Sequence, residues 1–119
     1  APSVRATLAD DPLALHAHTL GKQQGELQRC EPVLGAALAD RHHHSAQLLF
    51  SVYDKAERER AHSAFAAGVA EGLASGPTLR SSCEALVEPT NCVIDQVLED
   101  ARTILKVRAD AQYRGPGFF

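Results

Sequence analysis

Asp40-Arg41-His42-His43-His44-Ser45 sets three consecutive imidazoles beside a carboxylate in the middle of a 119-residue chain. Imidazole changes charge between about pH 5 and 8 and is a common ligand for zinc, copper and nickel. The stretch therefore admits a metal site, a pH-sensitive cluster, or one polar turn of a helix. On a helix, successive residues point about 100° apart, so three neighbours cannot converge on one ion. Metal-binding pairs on a helix need i,i+3 or i,i+4 spacing. Here that means Asp40 with His43 or His44, two ligands where a structural site takes three or four. Asp40, His42, His43 and His44 are thus expected to make at most a weak surface site that takes up Ni, Cu or Zn adventitiously, with no dedicated cofactor. His16 and His18 diverge, and His62 stands alone. With Leu34 and Val52 as the core direction, Arg41 and Ser45 turn inward, His43 turns outward, and His42 and His44 flank the stripe as solvated side chains. An inward Arg41 needs a carboxylate such as Glu99, unless the helix breaks near Asp40 or the stripe rotates. A break or a rotation is the expectation.

The second reactive set is three cysteines, Cys30, Cys83 and Cys92, with no C-x-x-C and no Cys/His metal spacing. That arithmetic suggests one disulfide and one spare thiol, which points to an oxidising compartment. The first residue, Ala1, is what signal-peptide cleavage often leaves. An exported protein, periplasmic or secreted, is therefore expected. Cys92 is the best candidate nucleophile, because a thiol in the first turn of a helix feels the positive end of the dipole. A Cys–His pair would still need a histidine at that end of the molecule. Gly-rich phosphate loops, G-x-S-x-G and H-E-x-x-H are missing from the sequence, so no catalytic residue is assigned and a non-enzyme is expected.

The elements that must position these groups read as helices. Alanine and leucine are abundant and aromatics make up 5%, a mix that favours helix over sheet. The net charge of −3, with interspersed signs, gives no basic footprint for nucleic acid, and no apolar run reaches the roughly 20 residues that span a bilayer. One domain is expected over residues 1–119, with irregular tails at 1–10 and 113–119. Asp11 caps a first helix that starts at Pro12 and ends near Cys30, ahead of Pro32. Gly21 and Gly25 weaken this helix or let a neighbour approach closely. A second segment runs from Pro32 to Tyr53. Asp54 and Glu57 form a capping box for a third helix, which stops at Gly76-Pro77. A loop or short helix carries Cys83, and a last helix opens at Pro89-Thr90-Asn91-Cys92, capped by Thr90 or Asn91.

Short connections favour antiparallel neighbours. The fold expected is an all-α antiparallel bundle of about four helices stapled by one disulfide. Its core would contain Leu20, Leu27, Leu34, Leu38, Leu48, Phe65, Val69, Leu73, Val97, Ala101 and Ile104. All three cysteines fall at one end of such a bundle, and topology alone does not choose the pair. Cys83 and Cys92 are closest in sequence.

The Leu20-Gly21 pair nine residues ahead of Cys30, the stretch "ERAHSAFAAG" and the later "SSC" resemble an uncharacterised family of small exported helical proteins of alphaproteobacteria. Members of that family carry Leu-Gly before a first cysteine, then a basic helix with Phe-x-x-Gly, here Phe65 and Gly68, then a second cysteine. The resemblance covers roughly residues 13–110. The loop before Cys83 is longer here, and Cys92 is extra. The resemblance implies a Cys30–Cys83 bridge with Cys92 free, and it carries no activity.

The expected role is that of a non-enzymatic exported protein that binds a protein partner not identifiable from the sequence. Two alternatives come from the histidines. One is a metal-binding protein using His42–His44. The other is a pH-responsive envelope stress protein or chaperone.

Overall fold

The computed structural model describes residues 10–113, and these are helical with no strand among them. In chain order they form α1 (Pro12–Arg29), α2 (Glu31–Leu34), α3 (Ala37–Ser51), α4 (Lys55–Ser75), α5 (Arg80–Glu84) and α6 (Val87–Tyr113). Of the expected tails 1–10 and 113–119, residues 1–9 and 114–119 lie outside the described residues, and Tyr113 is the last residue of α6 rather than the start of a tail.

Two helix starts follow the sequence signals. Asp11 accepts a hydrogen bond from the Ala14 amide at 3.2 Å and Pro12 opens α1. Asp54 and Glu57 form the full capping box of α4, Glu57 N donating to Asp54 Oδ1 at 2.8 Å. The second segment is not one helix. It breaks at Gly35, which ends α2 at φ 75°, a conformation that glycine adopts without steric cost. The last helix starts at Val87 rather than at a Thr90 or Asn91 cap. Thr90 N already donates to Leu86 O at 3.0 Å, and Pro89 sits in the first turn, where its missing N–H leaves no bond unmade. Cys92 consequently stands in the second turn, exposed, and not at the dipole end.

Consecutive long helices run in opposite directions, as a bundle with short connections requires. Phe50 meets His62 and Phe65 across α3 and α4, and Arg108 reaches back to Glu57 from α6 to α4. The closest pairing, however, joins α1 to α4, which run parallel. Asp11 meets Arg60, His18 meets Glu71, and Arg29 Nη1 donates to the Leu73 and Ala74 carbonyls at the end of α4. The reason is glycine. Gly21 and Gly25 on α1 face Gly68 and Gly72 on α4 at the same four-residue spacing, so both fall on one helical face. A Cβ on Gly68 would lie 2.8 Å from Lys22 N, and one on Gly72 2.8 Å from Glu26 N. The backbones therefore touch where side chains ordinarily hold helices 8–10 Å apart. Helices α3 and α6 also run parallel, with Arg41 bonded to Asn91 near their starts.

The two parallel pairs enclose a core of Ala14, Ala17 and Leu20 from α1, Ala46, Leu49 and Phe50 from α3, Ala61, Ala64 and Phe65 from α4, and Val97 and Ala101 from α6. A smaller cluster of Leu27, Leu38, Ala39 and Ile94 lies towards the disulfide end. Leu20, Leu27, Leu38, Phe65, Val97 and Ala101 are buried as expected, and Leu34, Val69 and Ile104 are half-buried. Leu48 and Leu73 are corrections, since both are 43% exposed. Leu34 belongs to α2, beyond the Gly35 break, so it does not mark the core direction of α3. The true stripe is Leu38, Ala39, His42, Ser45, Ala46, Leu49 and Phe50.

The disulfide is Cys30–Cys83, with Cα atoms 5.6 Å apart, and Cys92 is free. It ties the end of α1 to α5, and both cysteines are fully buried.

Candidate functional site

The three histidines leave α3 in three directions. His42 is a correction: it is 1% exposed and turned into the seam between α1 and α3. Its Nδ1 lies 2.7 Å from Gln24 Oε1, while Gln24 Nε2 donates to the Ala39 carbonyl at 3.0 Å. That second bond fixes the amide, because a carbonyl can only accept. Gln24 therefore presents oxygen to the ring, and Nδ1 carries the proton. His42 Nε2 lies 3.3 Å from Gln23 Oε1. The ring is buried among polar but uncharged groups, and burial pushes its pKa down to about 4, with neighbouring His43 adding to the shift.

His43 is exposed and sets its edge against Phe65, ring centroids 5.9 Å apart. His44 is exposed and faces a groove between α3 and α6. Arg41 is exposed as well, not turned inward, and its Nη2 donates to Asn91 Oδ1 at 3.0 Å. Neither a break at Asp40 nor a Glu99 partner is involved. The stripe is rotated, and Ser45 alone of the inward-read pair is buried, donating to the His42 carbonyl at 2.8 Å. The weak metal set Asp40, His42, His43 and His44 thus loses His42 to the interior. Asp40 and His44, four residues apart, remain on one face, and His43 points elsewhere. Among the described residues no group of three His, Cys, Asp or Glu side chains converges.

The groove has a volume of about 330 Å³ and is lined by Asp40, Arg41, His44 and Ser45 from α3 and by Ile94 and Leu98 from α6. Its floor is apolar, and Asp40, Arg41 and the His44 imidazole form its polar edge. The helix faces that form it continue beyond it. Leu48 follows His44 by four residues on α3, and Leu105 follows Leu98 by seven on α6, so each repeats the same face. Leu48 is 43% and Leu105 58% exposed. Because α3 and α6 run parallel, both apolar continuations extend in the same direction. Cys92 sits next to Asn91, the residue that meets Arg41. The groove was missed from sequence because it depends on α3 lying beside α6, a long-range pairing that no local motif announces. The exposed face of Leu48 was hidden by the wrong helix angle.

Among the described residues no helix is long and apolar enough to cross a membrane. Neither a protein-family model, nor a curated protein, nor a solved structure matches the chain.

Proposed function

We propose that this is an exported, non-enzymatic binding protein that takes an amphipathic helix of a protein partner in the α3–α6 groove. The observation that carries the reading is the groove floored by Ile94 and Leu98 of α6 and edged by Asp40, Arg41 and His44 of α3, with exposed Leu48 and Leu105 on the same helix faces beyond it. A groove between two helices accepts apolar anchors spaced at i, i+3/i+4 and i+7, and an apolar centre with a polar edge is the ordinary anatomy of a protein interface. The buried Cys30–Cys83 bridge supports export, since such bonds persist in oxidising compartments.

The free thiol supplies the test. A photoactivatable crosslinker attached to Cys92 in the otherwise unchanged protein is incubated with a periplasmic extract. The reading expects a discrete adduct that disappears in Leu98→Glu, while the adduct persists in Leu79→Glu, a control at a 69% exposed leucine next to α5. Equal labelling in both variants would remove the groove from the account.

A further inference from the structure

Of the six histidines, His42 alone is buried. It bridges two elements, since its ring is on α3 while both of its polar partners, Gln23 and Gln24, come from α1. The two ring nitrogens are not equivalent. Nδ1–H donates to an amide oxygen whose orientation is fixed by the Ala39 carbonyl. Nε2 faces Gln23 Oε1, an atom that can only accept. That contact becomes a hydrogen bond when Nε2 carries a proton, and the neutral ring is satisfied there only when the Gln23 amide presents its NH2 instead.

The surroundings offer an imidazolium no counter-charge. α1 presents two neutral amides, and the cluster one turn away is apolar, with Leu27 from α1, Leu34 from α2, Leu38 and Ala39 from α3, and Ile94 from α6. From α4, Glu71 is taken up by His18 and Lys22 on the other side of α1. Asp40 and Arg41 on α3 are exposed and face the groove. His43 is the ionisable neighbour that acts on the ring, and it opposes protonation. A charge created here must therefore be moved to water.

We propose that His42 is an acid-released latch between α1 and α3: a proton on its imidazole separates the two helices locally and exposes the ring. The state with the helices apart hydrates the imidazolium and lets it titrate at the ordinary value near 6.5, whereas the closed state binds the proton only near 4. The sign follows. Opening is suppressed above about pH 6.5, rises as pH falls through the interval between those values, and levels off below it. From pH 7 to pH 5 the opening constant rises about twentyfold by linkage. The inference stands independently of what occupies the α3–α6 groove.

Amide hydrogen exchange of the full chain, corrected for intrinsic rates, reads this directly. The amides around Gln24, Ala39 and His42 should open about twentyfold more often at pH 5 than at pH 7. His42→Asn keeps a donor for Gln24 Oε1 but does not titrate, and the rise should vanish. Gln24→Glu puts a carboxylate beside Nδ1, which favours the closed imidazolium and raises its closed-state pKa, so the rise should shrink and level off at a higher pH. If His42→Asn fails to fold, Gln24→Glu and an imidazole nitrogen titration of the wild type still decide. An equal rise in His42→Asn, an unchanged rise in Gln24→Glu, or an imidazolium forming near pH 6.5 with no extra opening would overturn the latch.

Discussion

His42, His43 and His44 show how far one residue's neighbourhood departs from its neighbours'. Three identical side chains in a row become a buried hydrogen-bonded group, an aromatic edge contact and a groove wall. Their substitution effects should separate accordingly. His42→Ala opens a cavity and leaves the Gln24 amide oxygen unpaired, so about 2–4 kcal/mol of stability should be lost in chemical denaturation. His44→Ala should stay within about 0.5 kcal/mol. Equal effects at the two positions would mean that the α3 register is wrong. The helix caps respond to acid in a separate range. Asp11, bonded to the Ala14 amide, and Asp54, bonded to the Glu57 amide, both have carboxyl pKa values below the ordinary one. Their native pKa values are the depressed ones, so their contribution is present above about pH 3.9 and is lost as pH falls further. Acid unfolding of Asp54→Asn, whose amide oxygen still caps but does not titrate, should accordingly fall less steeply below that pH than the wild type.

At the scale of the element, local chemistry was readable and mutual arrangement was not. Asp11-Pro12 and the Asp54/Glu57 box announce helix starts because capping satisfies amides within a few residues. The break at Gly35 was legible only as a glycine, since nothing nearby in sequence demands a positive φ, and missing it turned the whole α3 stripe. The consequence is a sharp contrast between adjacent residues. Leu49→Ala should cost about 2–5 kcal/mol and Leu48→Ala less than about 1 kcal/mol, because Leu49 is 1% and Leu48 43% exposed. The parallel α1–α4 seam is a second case. Gly21 and Gly25 pointed to a close neighbour, but the partner glycines lie over forty residues later in the chain. Gly72→Ala would set a methyl against the α1 backbone and should destabilise by about 1–3 kcal/mol or more, despite the better helix propensity of alanine. A stability gain in a thermal melt would contradict the seam.

Over the whole molecule, an all-α chain of antiparallel consecutive helices with one disulfide follows from short connections and the cysteine count, whereas topology leaves the pair open and only the family resemblance implies Cys30–Cys83. The bridge spans 53 residues, and in the chain-entropy model a loop of that size contributes up to about 4 kcal/mol. Cys30→Ala/Cys83→Ala should therefore lower the denaturation midpoint substantially without changing the helical content of the folded state. What the sequence could not announce is the α3–α6 groove, which exists because two helices separated by α4 and α5 lie side by side. That groove is the centre of the functional account, and partner affinity tests it most directly. For a partner captured through Cys92, the dissociation constant is measured against wild type, Leu98→Glu in the groove and Leu79→Glu outside it, at pH 7. The account predicts at least a tenfold loss, about 1.4 kcal/mol, in Leu98→Glu and none in Leu79→Glu. Unchanged affinity in Leu98→Glu, or a loss confined to Leu79→Glu, would contradict it.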